Sequence, residues 1–189
     1  MSDFYDRDPD GYFDATFGGD MSDARGRFAF RLAPGAGILD LGCGSCRDTV
    51  AFRDMGFDVL PADASEGMRR VVRERLGIEV MPLRFGDLAF DAEFDGVWAC
   101  ASLLHVPSAE LPDILARIRR SLRPGGVFFC CFKSGSFEGV RDGRFYRDLT
   151  LDALEKVLAD AGFSVEELWT SDGVGCAWSN AISRSGRHI

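Results

Sequence analysis

The feature that most constrains this fold is a repeated handover between short apolar runs and stretches of helical periodicity. Apolar runs at 38–41, 57–62, 78–83, 94–100, 127–132, 163–169 and 176–183 read as strands. They are short, apolar and bounded by turn signals, as strands buried on both faces are. Between them, residues 20–33 carry Ala24, Phe28 and Leu32 at i, i+4, i+8 until Pro34-Gly35-Ala36-Gly37 stops the helix. Residues 48–55 form a second helix closed by Gly56. Ser65 caps a third that ends before Gly77, and Thr150 caps one that Gly162 closes. Ser108 caps the helix whose stripe is Leu111, Ile114, Leu115, Ile118 and Leu122. The residues before Asp20 show no such pattern and read as an irregular start. Alternation of this kind implies an α/β fold, a mostly parallel sheet with helices on both faces. Ligands then bind beyond the carboxyl ends of the strands, near the switch in strand order.

The informative positions therefore follow Leu41, Ala62, Leu83 and Cys100. After Leu41 comes Gly42-Cys43-Gly44-Ser45-Cys46-Arg47. Gly42 and Gly44 allow a sharp turn and a close backbone approach to a ligand. The helix that follows presents free N–H groups to an anionic group. A dinucleotide fingerprint would place its third glycine at 47, where this chain has Arg47. A long cation there obstructs pyrophosphate approach and pairs more naturally with an amino-acid carboxylate. After Ala62, Asp63 stands about 20 residues past the loop, where a carboxylate accepts hydrogen bonds from both ribose hydroxyls. After Leu83, Gly86-Asp87-Leu88 puts an acid within reach of an adenine amino group.

In that order the chain resembles the class I S-adenosylmethionine-dependent methyltransferases. The match runs through Ile38 to Ser45, Asp63-Ala64-Ser65 with Met68, Gly86-Asp87, Phe94 to Trp98, and Leu122-Arg123-Pro124-Gly125-Gly126. Tyr12 to Thr16, Arg47-Asp48-Thr49, Ala99 to Val106 and Asp142 to Phe145 make it most similar to the small type 11 and tellurite-resistance-type methyltransferases. One departure is Cys46, where the family has its third loop glycine. The resemblance implies a Rossmann-like, doubly wound seven-stranded sheet over 36–189, with 1–35 as a helical cap over the cofactor site. It also implies S-adenosyl-L-methionine as cofactor. Asp40 would fix the loop near the methionine amino group, Gly42 and Gly44 would line the cofactor, and Arg47 would approach its carboxylate. Asp63 with Ala64 would hold the ribose, Asp87 and Leu88 would frame the adenine, Ala101 would approach from strand four, and Tyr12 and Thr16 would close over the site.

Composition narrows the acceptor. The 189 residues suit one domain, and a net charge of −8 argues against a nucleic-acid partner. Arg69, Arg70, Arg73 and Arg75, like Arg117, Arg119, Arg120 and Arg123, read as solvated helix faces. No apolar run approaches the roughly 20 residues of a membrane span, and the acidic start is unlike a signal peptide. A cytoplasmic monomer or homodimer acting on a small molecule is the expectation. The thiols Cys43 and Cys46 form a C-x-x-C pair without a second pair at zinc spacing, so no metal is expected. Of the histidines, His105 and His188, the first lies at the mouth of the expected site, either as the candidate base for a hydroxyl acceptor or as a ring satisfying backbone groups at a strand–helix turn. Lys133, Arg144 and Tyr146, in the polar stretch after strand five, either meet an anionic acceptor or stand as solvated loop residues. Two other functions would use the same scaffold. One is a non-catalytic protein that binds the cofactor, the other a nucleotide-dependent oxidoreductase, against which Arg47 speaks.

Overall fold

In the strand β1 (Gly37–Leu41) side chains alternate between two faces, and this sorts the whole core. Ile38 joins Phe28, Phe52, Trp98 and Phe129 on one side. Leu39 and Leu41 join Val97, Phe128, Leu115, Ile118 and Leu154 on the other. The computed structural model describes residues 2–186, so His188 lies outside the described residues.

The main sheet adds β2 (Asp58–Asp63), β3 (Met81–Pro82), β4 (Phe94–Ala99), β5 (Leu122–Lys133), β8 (Phe163–Gly173) and β9 (Cys176–Ser185), in the order β3-β2-β1-β4-β5-β9-β8. The pairs from β3 through to β5 are parallel, and β9 is antiparallel to both β5 and β8. This is the expected doubly wound, seven-stranded, mostly parallel architecture of the class I methyltransferase fold. Its strand order switches between β1 and β4, which puts their carboxyl ends beside the crevice. Helices α3 (Ser22–Ala29) and α4 (Arg47–Asp54) cover one face. Helices α6 (Leu111–Ser121) and α7 (Leu151–Asp160) cover the other. Helix α5 (Glu66–Leu76) packs Met68, Val71 and Val72 against Phe13 and Cys46 in a third cluster.

The structure departs from the sequence reading in four places. The irregular start holds α1 (Ser2–Tyr5) and α2 (Pro9–Thr16), the latter capped by Asp8, whose carboxylate accepts from the Gly11 amide. Strand 78–83 shrinks to Met81–Pro82, because it is an edge strand with a proline and Val80 turns to pack with α5. Ser108 caps nothing; α6 begins at Leu111, and the Ser108 amide donates to Glu138 at 2.8 Å. The polar stretch after β5 forms a separate hairpin, β6 (Glu138–Arg141) and β7 (Arg144–Arg147), across an Asp142-Gly143 turn. Both turn residues have positive φ, 49° and 76°, as this two-residue turn requires.

Candidate functional site

Immediately after β1 the chain makes a tight loop that only small residues can follow. A side chain on Gly42 would put its Cβ 2.6 Å from that of Ser102, and φ there is 76°. The Gly42 and Cys43 amides donate to the Ala62 carbonyl at 2.8 and 3.1 Å, tying the loop to β2. The Gly44 amide donates to Asp63 Oδ2 at 2.9 Å, and the Ser65 amide to Asp63 Oδ1 at 2.8 Å. Burial pushes the Asp63 carboxyl up, while these two amides pull it back towards the ionised form. Cys46 adopts φ 58° at the start of α4, yet its side chain is fully buried beside Phe13 and Met68. Its Cβ therefore points into the core and leaves the cradle open. Its Sγ lies 3.3 Å from that of Cys43, and both are free thiols.

Beneath the loop lies a carboxylate pair. Asp40 is buried, accepts from Thr49 Oγ1 at 2.5 Å, and has its pKa pushed up to about 7 by burial and by neighbouring Asp48. Asp48 is also buried, but Arg47, Arg25 and Trp98 Nε1 donate to it and hold its carboxyl below the usual range. Arg47 thus spends its guanidinium on Asp48, at 2.8 and 3.1 Å. It also lines the cavity above that pair.

Above the loop sit α1 and α2. Asp6 accepts from the Ser65 hydroxyl at 2.6 Å and the Gly67 amide at 2.8 Å, and Arg75 pairs with Asp10 and Asp14. Thr16 Oγ1 lies 3.1 Å from Ser45 Oγ, and Tyr12 packs edge-to-face on Tyr5 with centroids 4.9 Å apart.

These elements enclose a cavity of about 1370 Å3. Pockets for a single small molecule run to roughly 300–1,000 Å3, so two ligands can share this one. Tyr12, Thr16, Asp40, Gly42, Gly44, Arg47, Asp63, Ala64, Asp87, Ala101 and His105 all line it. Leu88 does not. It is 1% exposed and packs in the core beneath the floor, so of the expected adenine pair only Asp87 reaches the cavity.

His105 is the other correction. Its Nδ1 is 2.7 Å from the Phe145 carbonyl, which can only accept, so Nδ1 carries the proton. Nε2 must then accept from the Tyr5 hydroxyl, 2.7 Å away. Burial lowers its pKa to about 4, against the opposing bond to Phe145, so the ring is neutral with both nitrogens engaged. It is not a free base. Tyr5, which lines the cavity, was missed in the sequence because a four-residue helix in an aspartate-rich stretch shows no periodicity. Among the described residues no three His, Cys, Asp or Glu side chains converge as metal ligands, and no helix is long and apolar enough to cross a membrane.

Known proteins align with this geometry. Residues 38–126 match the family described as Methyltransferase domain. A demethylmenaquinone methyltransferase of Clavibacter sepedonicus is 34% identical over 148 residues, 72% of this chain and 59% of its own length. A malonyl-[acyl-carrier protein] O-methyltransferase of Serratia marcescens is 36% identical over 118 residues, 58% of this chain and 43% of its own. A solved 1,6-didemethyltoxoflavin-N1-methyltransferase of Burkholderia thailandensis, with 1,6-didemethyltoxoflavin and S-adenosylhomocysteine bound, is 26% identical. It superposes with a TM-score of 0.81 over 98% of this chain and 86% of that one. The chain spans about half the length of the curated relatives it matches.

Proposed function

We infer that this chain, which belongs to the class I S-adenosylmethionine-dependent methyltransferases, moves a methyl group from S-adenosyl-L-methionine to a small-molecule acceptor. The observation that carries the reading is the Gly42–Gly44 loop bonded to the Asp63 carboxylate at the sheet's switch point. A Cβ at Gly42 would close that cradle, and the acids lining it suit a ligand with net positive charge. When bound, the cofactor supplies a sulfonium-activated methyl group. The chain's own residues then bind, align and exclude water, which is worth several kcal/mol in a displacement of this kind.

In this proposal Asp63, beside Ala64, holds the ribose, Asp40 faces the methionine ammonium, and Asp87 meets the adenine. Ala101, at φ 50° with its amide on Cys131 Sγ at 3.1 Å, borders the transfer point. Residues 1–35 act as the cap over 36–189, with Tyr12 and Thr16 above the loop. His105 takes a positioning role, holding Tyr5 against the site. Arg47 acts through Asp48, keeping the floor of the cradle charged and fixed. The narrower likeness to small type 11 and tellurite-resistance-type enzymes rests on short motifs alone and belongs to this proposal. The relatives are named for acceptors as unlike as demethylmenaquinone, malonyl-[acyl-carrier protein] and 1,6-didemethyltoxoflavin, which supports a small acceptor without choosing one.

The test is label transfer from methyl-tritiated S-adenosylmethionine to a panel of phenols, carboxylates, amines and thiols. Label in any acceptor, with stoichiometric S-adenosylhomocysteine, is the expected result. Cofactor binding with no transfer to any class would replace the enzyme with a non-catalytic binder.

A further inference from the structure

The charged side chains that line the cavity are mostly acidic. Asp40, Asp48, Asp63 and Asp87 surround the cradle, and Asp20 and Asp23 stand at its edge. Lys133, at the carboxyl end of β5, breaks that pattern. Strand alternation puts Cys131 and Lys133 on the cavity side, opposite Asn180 and Trp178 of β9. Trp169 of β8, which pairs with Asn180, extends the same wall. The end of the cavity away from the cradle is therefore aromatic, with Lys133 as its cation and Asp172 of β8 on the same wall.

Lys133 lacks a counter-ion. Its Nζ rests 4.6 Å from the centroid of the Tyr146 ring, and among the described residues no carboxylate pairs with it. Arg144, on β7, is in the same condition. Its guanidinium carbon lies 5.2 Å from that ring and 4.3 Å from the Phe4 ring, and its Nε is buried with no hydrogen-bond partner. Both cations act on His105, so they belong to one end of the site. By contrast Arg141, also against Tyr146, pairs with Asp148 at 2.5 Å, and Arg47 pairs with Asp48. In a chain of net charge −8 acids are plentiful, yet among the described residues none pairs with Lys133 or Arg144. Half-buried cations lose hydration that only an opposite charge restores.

We propose that the methyl acceptor is a small organic anion with a planar apolar body, its charge met by Lys133 and its ring laid against Trp178 and Trp169. The proposal rests on the methyltransferase reading and names its acceptor class. Arg144, behind Tyr146 and Tyr5, adds field without touching the ligand. The chemistry is consistent with the state of His105. An anion's lone pair forms the new bond to the methyl carbon while the methyl–sulfur electron pair leaves with sulfur. No proton has to be removed, so a neutral His105 with both ring nitrogens engaged is no obstacle.

The experiment uses benzoate and benzamide, alike in shape and different in charge, titrated into protein saturated with S-adenosylhomocysteine. Saturation is measured first, so a failure at that step falls on the methyltransferase reading and not on the acceptor class. Benzoate is expected to bind about tenfold or more tighter than benzamide, the worth of one charge-assisted hydrogen bond. Lys133→Gln should abolish the preference while keeping S-adenosylhomocysteine affinity, and Arg144→Gln should reduce it. Equal binding of the two probes, binding of neither, or a preference that survives Lys133→Gln would overturn the proposal. Should Lys133→Gln fail to fold, Lys133→Met and Arg144→Gln supply the same comparison.

Discussion

Asp40 shows how one residue links burial to ligand choice. Its carboxyl is 3% exposed and half-protonated near pH 7, because burial and the adjacent Asp48 disfavour a second negative charge. A cationic group bound above it reverses that balance and expels the proton. S-adenosylhomocysteine should therefore bind more tightly as pH rises from 6 to 8, by up to about tenfold per unit at the steepest point. Asp40→Asn should bind weakly and with little pH dependence. Calorimetry across that range checks this, and a flat wild-type profile would contradict it. At this scale the sequence was informative wherever few residue types meet a need. Glycine at Gly42 and an acid at Asp63 are of that kind. Leu88 was not, because whether a side chain faces a cavity or the core depends on packing that local sequence leaves open.

Between elements, the notable contact is the one His105 makes. It sits in the short 3-10 turn after β4 and joins the Tyr5 hydroxyl of α1 to the Phe145 carbonyl of β7. One neutral ring thus ties the N-terminal segment, whose Tyr5 lines the cavity, to the hairpin. Tyr5→Phe keeps the packing on Tyr12 but leaves Nε2 without its donor, an expected loss of about 1 kcal/mol. Amide exchange in α1 and α2 should accelerate in that variant; unchanged exchange would mean the hydroxyl contributes nothing to closure. The hairpin that carries Phe145 was partly legible, since Asp142-Gly143 between Val140 and Phe145 is a strong two-residue turn signal. It read as a loop because the charged Glu138, Arg141, Asp142, Arg144 and Arg147 outnumber the apolar Val140, Phe145 and Tyr146. The guanidinium groups of Arg141 and Arg144 instead pack on Tyr146, Phe137 and Phe4.

Across the whole molecule, the order of strands and helices was legible because each apolar run is short and α4, α5 and α7 each have a cap or a glycine stop. Strand lengths were less so, since β5, β8 and β9 extend through polar and glycine-containing segments by pairing with one another. Two buried titrations also act at this scale, with opposite sign. His105, at about 4 against 6.5 unfolded, gives stability that is present above pH 6.5 and lost as pH falls towards 4. Asp40, at about 7 against 3.8 unfolded, keeps its proton only in the folded state, so stability falls as pH rises from about 4 to 7. Between pH 4 and 6.5 the two slopes offset. Relative to wild type, His105→Gln should lose up to about 1.4 kcal/mol of stability per pH unit on raising the pH there, and Asp40→Asn should gain a similar amount. Urea titrations at several pH values read both slopes, and parallel profiles for all three proteins would refute the assignment. The central claim, that the loop and Asp63 form a cradle for S-adenosylmethionine, is tested most directly by calorimetric titration with S-adenosylmethionine, S-adenosylhomocysteine and NAD. The account predicts saturable binding of the first two, none of NAD, and at least a roughly tenfold loss in Asp63→Ala. No binding of either sulfur ligand, or equal binding by Asp63→Ala, would contradict it.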